Sequence, residues 1–495
     1  MQIDINNPTM NNQTYNIAVA KGDGVGPEIM DAVIHILEKA KCPFHFSFIE
    51  MGKTWYEKGH STGMTPEAMQ TVEDTGILLK GPMETPKGKG VKSINVTARK
   101  RWNAYANRRV FKTLPGVETL FSKANIPIDL TIVRENIEDT YGGIEHMLTP
   151  DVALCRRFIT KPGSLQVIRY AFEMAKQQGI TEIYCGHKAN IMKMTDGLFL
   201  ECFYEVAKSY PAIKAKDIIV DDLAMKLVTK PQLFQVVVLP NLQGDVISDL
   251  CAGLVGGLGF APSANIGDYI SIFEAVHGTA PDIAGKGLAN PTALLISALM
   301  MLRHIGLPHH AQCIENALHK TLQKGLHTID VDGGKGNYLS TQAFAEAVVS
   351  HFDMTDIQTK ATTTSIKEKP TRPTINRMLQ TEPNVEWKIC GVDFFIQSSE
   401  QPTAIATLMN TILPTDFKLI IISNRGTQVY PKGSVYTDCV DQYRVRVETT
   451  NETKKYTQED MLTLTMQVSK HFKLCSLEIL NSYNGQKMYS LAQGQ

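Results

Sequence analysis

In "QGDVISDL" (243–250) two aspartates, Asp245 and Asp249, stand four residues apart. If a helix begins there, both carboxylates share one face. Upstream, "IIVDD" ends an apolar run with Asp221 and Asp222. Carboxylates gathered from strand and helix ends form a set of hard oxygen donors, suited to Mg2+ or Mn2+. The plainer alternative is an N-cap aspartate plus a solvated one, and the spacing alone favours it.

"KSINVTARKRWNAYANRR" (92–109) sets Ser93 and Asn95 ahead of Arg99 and Arg109, and Arg134 follows in "IVRENIEDTYGG". Arginine binds carboxylates bidentately, so three of them converging on loop ends imply a substrate with several carboxylates. Arg101 and Arg108 suit a solvated basic face. "GHKANIMK" places Lys188 and Asn190 just past an apolar strand, and Tyr141 sits in the turn "EDTYGG". Ligands of open α/β sheets sit beyond strand carboxyl ends. There a lysine and a tyrosine can exchange protons if burial tunes them. Singly, each is more often a surface lysine and a half-buried tyrosine.

Two glycine-rich loops compete for a nucleotide. "GDGVGPE" (22–28) follows an apolar run and precedes a helical pattern. A dinucleotide fingerprint would place its third glycine at position 27, where Pro27 stands; Gly26 is one place early. Glu50, at the end of the next apolar run, could only mimic the ribose ligand. Pro27 suits the first position of a helix, so a structural turn is the better reading. "HGTAPDIAG" (277–285), running toward Asn290-Pro291 and a long apolar helix, could hold an adenosine or be a plain Gly/Pro loop.

The elements that must position these residues alternate up to about residue 350. Short β-branched runs ("IDLTIV", "EIYCG", "QVVVL") alternate with helical stretches ("SLQVIRYAFEMAKQQG", "GLFLECFYEVAKSY"), the pattern of an α/β domain with a mostly parallel sheet. Residues 353–386, rich in Thr, Lys and Pro, read as a linker. After it, strands and helices in the order β-α-β-β-α-β predict a small α+β domain over 387–495.

Composition sets limits on partners. Apolar residues make up 43% and charged residues 20%, enough for a normal core. Lys plus Arg equals Asp plus Glu, 50 each, which argues against nucleic-acid and membrane-surface roles. No apolar run reaches membrane-spanning length. The polar start "MQIDINNPTMNNQ" resembles no targeting peptide, and nine cysteines without Cys-x-x-Cys read as reduced thiols, so a cytoplasmic protein is expected. The α+β order also occurs in RNA-binding and ligand-sensing modules. The 11 basic and 11 acidic residues of 386–495 leave no basic footprint for RNA. An assembly or stabilising role suits that domain better.

Taken together and in order, "GDGVGPE", "SINVTARK", "VRENIEDTYGG", "HKANIMK", "NLQGDVISD" and "HGTAPDIAG" resemble the metal-dependent β-decarboxylating dehydrogenases. The likeness covers roughly 15–352 and is greatest for isocitrate dehydrogenases; the C-terminal extension, with "ISNRGTQVYP", resembles a long bacterial form. It implies the two-subdomain fold of that family, a large subdomain over about 1–104 and 256–352 and a small one over 105–255. A dimer clasp near 139–160 is implied too. It implies that Ser93, Asn95, Arg99, Arg109, Arg134 and Thr85 bind isocitrate, and that Asp221, Asp245 and Asp249 hold the metal. Tyr141 and Lys188 become the proton-transfer pair. Lys80 and Thr85 lie near the nicotinamide; His277, Gly278, Thr279, Ala280, Asp282, Ile283 and Asn290 form the adenosine site. It further implies a homodimer with shared sites, Lys188 and Asp221 coming from the neighbouring chain. NADP users of the family typically carry Lys-Tyr where this chain has Asp282-Ile283, so NAD is expected. The alternatives are an NADP enzyme, or a sibling acting on homoisocitrate, isopropylmalate or tartrate. Polar Ser93 and Asn95 favour a third carboxylate over an apolar tail.

Overall fold

The structure, a computed structural model, describes residues 14–84, 93–332, 336–353, 386–434, 436–451 and 453–490. Most of the expected linker (353–386) therefore lies outside the described residues. Two compact units emerge. One runs to Gly142 and resumes at Phe158; the other joins Gly143–Arg157 to the C-terminal segment.

The first unit is built on a ten-stranded sheet in the order β2-β1-β3-β12-β11-β4-β5-β10-β8-β9. Its strands are β1 (Tyr15–Ala20), β2 (Phe44–Phe48), β3 (Ile77–Lys80), β4 (Ala106–Lys112), β5 (Asp129–Glu135), β8 (Glu182–His187), β9 (Lys214–Ile219), β10 (Val236–Leu239), β11 (Pro262–Ile266) and β12 (Ser271–Ala275). The sheet is mostly parallel, as expected, with an antiparallel centre that was not. Two parallel groups, β2-β1-β3-β12 and β5-β10-β8-β9, flank antiparallel pairings of β11 with β12 and β4, and of β4 with β5. Inner strands of these groups, such as "VVVL", are apolar and buried on both faces as parallel strands are, while the edge strands β2 and β9 are partly exposed. Helices cover them with apolar stripes at three-to-four-residue spacing, as in Lys161–Gln177, which buries Ser164, Val167, Ile168, Ala171, Phe172, Met174 and Ala175.

In the second unit, β13 (Trp387–Gln397), β14 (Phe417–Asn424), β15 (Thr427–Tyr430), β16 (Gln442–Thr449), β17 (Lys473–Tyr483) and β18 (Gln486–Lys487) form an antiparallel sheet ordered β15-β14-β16-β13-β17-β18. Helices Pro402–Ile412 and Gln458–Ser469 bury Ile405, Met409, Met461 and Leu464 in its core. The expected β-α-β-β-α-β order stands, with two short strands added. The segment expected as a clasp forms a hairpin of β6 (Glu145–Thr149) and β7 (Val152–Cys155). A lone hairpin is marginal in water. This one is tied to the C-terminal domain: Thr149 Oγ1 donates to Asp441 Oδ1 at 2.8 Å, and Arg156 pairs with Glu478 at 2.7 Å. The nine cysteines are thiols, with no disulfide among the described residues. No helix among the described residues is long and apolar enough to cross a membrane.

Candidate active site

The loop "GDGVGPE" is a packing junction. Gly22 and Gly24 take φ of +81° and +60°, values that disfavour side chains. A Cβ on Gly22 would lie 2.3 Å from Pro82 O, and one on Gly24 would lie 2.0 Å from Thr279 O. Val25 N donates to Thr279 O at 2.9 Å, and the Asp23 carboxylate accepts from Glu84 N at 2.8 Å. These glycines therefore let three loops, 22–26, 81–84 and 277–280, meet in backbone contact.

Strand register gathers the charged residues. Lys80 on β3 pairs with Glu274 on β12, Glu274 with Ser263 on β11, and Ser263 with Arg109 on β4. One step along, Asn265 on β11 pairs with Asn107 on β4, and Asn107 with Arg134 on β5. Directly paired residues and those two apart share a face, so all seven project to one side of the sheet centre. Arg108, between Asn107 and Arg109, projects to the other side. There it lines a separate cavity of about 770 Å3 with Val110 and Tyr170. That cavity contains none of the expected site residues.

Helices Ile94–Arg101 and Asn241–Leu254 bring the remaining groups. Asp245 Oδ1 accepts from Arg134 Nη1 and pairs with Arg109 Nη2 at 3.2 Å; Tyr141 donates its hydroxyl to Asp245 Oδ2. Arg134 lies 4.9 Å above the Tyr141 ring centroid. Arg109 also meets Asp249 at 3.5 Å and donates to Ser248 Oγ at 2.6 Å. Burial alone would raise the Asp245 pKa, but Arg134 and Arg109 outweigh it and hold the carboxyl below its ordinary value. For Asp249 burial wins and its pKa rises. Burial likewise raises the Tyr141 pKa, with Arg134 opposing, so the phenol stays protonated.

Glu274, which no motif singled out, is the buried counter-ion of the other half. Its Oε2 pairs with Lys80, and its Oε1 accepts from Arg99 at 2.9 Å and Asn265 Nδ2 at 2.7 Å. Burial opposes ionisation, yet Lys80 and Arg99 hold its pKa far below the carboxylate range. Its sequence signal is a glutamate inside the apolar strand "SIFEA", since charged residues rarely enter cores unpaired. Asn107 and Asn136 were missed as well. Each donates to Asn265 Oδ1, at 2.7 and 3.0 Å, and Asn107 Oδ1 accepts from Arg109 Nε at 2.7 Å.

A small cavity of about 90 Å3 opens between Asn95, Arg99, Arg109, Glu274, His277 and Gly278. Asn95 Oδ1, Arg99 Nε and His277 Nε2 are buried there without a partner. Buried polar atoms are nearly always satisfied, so three orphans on one cavity mark a place built for polar ligand atoms. His277 has its pKa lowered by burial and stays neutral.

Other expected residues fall as follows. Ser93 is the N-cap of helix 94–101, accepting from Val96 N at 3.5 Å. Thr85 lies outside the described residues. Thr279, Ala280, Asp282 and Ile283 continue the loop from Gly278, with Asp282 exposed. Asn290 caps Thr292 N at 3.0 Å and donates to Asp330 at 3.0 Å. Lys188 and Asp221 do not join the arginine cluster; they pair with each other, and Lys188 lowers the Asp221 pKa. Among the described residues no three metal-ligating side chains come together. Asp245 and Asp249 supply two hard oxygen donors, a partial fit to Mg2+ or Mn2+ that needs a further carboxylate from elsewhere.

Fold and site define a class: an α/β protein whose sheet centre presents an arginine-lined cleft beside a glycine-containing loop. The family model for isocitrate/isopropylmalate dehydrogenases matches residues 16–348, and that for the C-terminal domain of bacterial isocitrate dehydrogenase matches 387–495. The chain belongs to the isocitrate/isopropylmalate dehydrogenase family, in the long form that carries this bacterial C-terminal domain. It is 42% identical over 482 residues to "Isocitrate dehydrogenase [NADP]" of Thermus thermophilus, covering 97% of this chain and 96% of that one. It is 44% identical over 342 residues to "Isocitrate dehydrogenase [NAD] subunit 2, mitochondrial" of Schizosaccharomyces pombe, covering 68% and 88%. The crystal structure of the TT0538 protein from Thermus thermophilus superposes with a TM-score of 0.89 at 41% identity, covering 98% of this chain and 97% of that one.

Proposed function

We propose that the protein oxidatively decarboxylates isocitrate to 2-oxoglutarate and CO2 and passes the hydride to NAD. Charge carries this reading. Arg99, Arg109, Arg134 and Lys80 face Glu274, Asp245 and Asp249, a surplus of one positive charge. With a divalent cation the surplus is three, equal to the carboxylates of isocitrate. Isopropylmalate and tartrate bring two and would leave a buried cation unmatched, which is costly.

Asp245, Asp249 and Asp221 of a second copy would hold the cation, which supplies Lewis-acid polarisation of the C2 oxygen. Arg99, Arg109 and Arg134 orient the carboxylates, with Ser93, Asn95 and Thr85 at the remaining one. Lys188, arriving with Asp221 from the second copy, takes the C2 hydroxyl proton. Tyr141, kept protonated by burial, delivers a proton to C3 once CO2 has left. Exposed apolar side chains support the homodimer: Met225 and Val228 follow Asp221 on helix 220–229, and Leu242 and Val246 flank Asp245 on helix 241–254.

Lys80 and Thr85 would lie by the nicotinamide, with the loop from His277 to Ile283 and Asn290 around the adenosine. An Asp282 carboxylate can accept from ribose hydroxyls and repels a 2′-phosphate. The NADP reading rests on the full-length relative from Thermus thermophilus, whose name carries NADP. Steady-state assays with isocitrate, homoisocitrate, isopropylmalate and tartrate, each with NAD and NADP, test both points. A higher kcat/KM with NADP would overturn the cofactor assignment; turnover of another acid in preference to isocitrate would overturn the substrate.

A further inference from the structure

We propose that Asn265 is a positioning residue that couples the substrate arginine Arg109 to the cofactor-side pair Glu274 and Lys80, so that binding of either ligand changes the affinity for the other. The inference rests on the isocitrate reading.

The observation is a chain of side-chain hydrogen bonds with only one possible direction. Arg109 can only donate, so Asn107 Oδ1 must accept from its Nε at 2.7 Å. Asn107 Nδ2 then donates to Asn265 Oδ1 at 2.7 Å, and Asn265 Nδ2 donates to Glu274 Oε1 at 2.7 Å. Glu274 can only accept, and it takes Lys80 and Arg99 on its remaining valence. A guanidinium at one end and a carboxylate at the other fix both amide orientations, removing the usual flip ambiguity. Asn107 and Asn265 are fully buried, and Glu274 and Arg109 nearly so. In such surroundings successive bonds polarise one another.

The chain runs across β4, β11, β12 and β3, from the segment 105–255 into the segment 256–352. Asn265 is its midpoint and uses all its capacity: Oδ1 accepts from Asn107 and Asn136, and Nδ2 donates to Glu274 and to Ile272 O at 3.3 Å. A carboxylate drawn onto Arg109 competes with Asn107 for that guanidinium. The change passes through Asn265 to the acceptor strength of Glu274 and the hold on Lys80. Packing would have needed only an apolar side chain at this position of β11.

The wild-type protein is assayed first; if it does not oxidise isocitrate, the functional reading fails and not this one. Isocitrate dissociation constants are then measured by calorimetry with Mg2+, with and without NADH or NADPH, which permit no turnover. In the wild type the two constants should differ by a ratio of at least about fivefold, in either direction, with its preferred nucleotide. Asn265→Leu should bring that ratio to about one and lower kcat/KM by roughly tenfold to a hundredfold. Phe172→Leu, a core change remote from the chain, should lower Tm and leave the ratio intact. Asn265→Asp gives a readout that a structural role would not move. When ionised it cannot donate to Glu274; when protonated it can. Its activity relative to wild type should therefore rise as pH falls, whether or not the leucine variant folds. An unchanged ratio in folded Asn265→Leu, or an Asn265→Asp profile parallel to wild type, overturns the proposal.

Discussion

Among the described residues two buried clusters set arginines around a carboxylate on a sheet face, and one of them is open. In the C-terminal domain Asp393 takes Arg446 bidentately, at 2.8 and 2.9 Å, and Arg444 at 2.8 Å. The third arm of Arg446 donates to Ser490 O at 2.6 Å, and Tyr489 stacks 4.7 Å above its guanidinium. Each nitrogen of Arg446 has an acceptor, and the chain's own residues supply all of them. At the centre of the ten-stranded sheet, Arg99, Asn95 and His277 retain buried atoms with no partner, around a cavity. The comparison teaches that buried charge marks a binding site when its valence is left open, and a fastening when it is closed.

The largest effect should come from Asp245→Asn. That carboxylate meets two arginines and Tyr141 and is the central proposed metal ligand. Turnover should fall by at least about a thousandfold, and Tm should fall too, because the buried Arg134 loses its carboxylate partner. Full activity in excess chelator would remove the metal from the argument. Tyr141→Phe should follow, with kcat down roughly a hundredfold to ten-thousandfold and isocitrate KM changed far less. A loss confined to KM would assign Tyr141 to binding instead. Ser93→Asp separates cap from ligand. Aspartate caps a helix as well as serine, so the fold and Tm should hold. A negative charge facing a carboxylate should weaken isocitrate binding by roughly a hundredfold; ordinary affinity would make Ser93 a cap alone.

Much of this site was legible in the sequence, because arginines and aspartates at strand and helix ends announce themselves. Arg99, Arg109, Arg134, Asp245 and Asp249 gather at the sheet centre, as the family resemblance implied and the spacing of the two aspartates alone did not. Glu274 and the three asparagines were not legible. Their meeting depends on register among β12, β11 and β4, and pairings between distant segments leave no local periodicity. The antiparallel strands at the sheet centre were hidden for the same reason, since alternating apolar runs say nothing about strand direction. The attachment of the β6–β7 hairpin to the C-terminal domain depends on single contacts such as Thr149 with Asp441, which no pattern predicts.

A smaller effect is expected where the site meets the nucleotide. Asp282→Lys with Ile283→Tyr should shift the ratio of kcat/KM values toward NADP by roughly tenfold, since lysine pairs with a 2′-phosphate that aspartate repels. Both side chains lie on a loop away from the sheet centre, so kcat with NAD should fall much less than in Asp245→Asn. An unchanged ratio would place cofactor choice elsewhere in the cleft.

The smallest effect on turnover should come from the closed cluster, and this sharpens the comparison most. Asp393→Asn removes the carboxylate that, among the described residues, balances Arg444 and Arg446. Arg446 is fully buried and cannot turn to water. Breaking a buried pair from one side costs about 3–5 kcal/mol, because the uncompensated charge remains inside. The Tm of the C-terminal transition should drop accordingly. If the cluster is only a fastening, molecules still folded at the assay temperature should turn over isocitrate within about twofold of wild type, the range of surface-like effects. Thermal unfolding and steady-state kinetics on the same preparation read the two quantities separately. A variant that keeps its Tm yet loses tenfold in kcat/KM would show that satisfied valence does not exclude function, and the criterion separating the two clusters would fall.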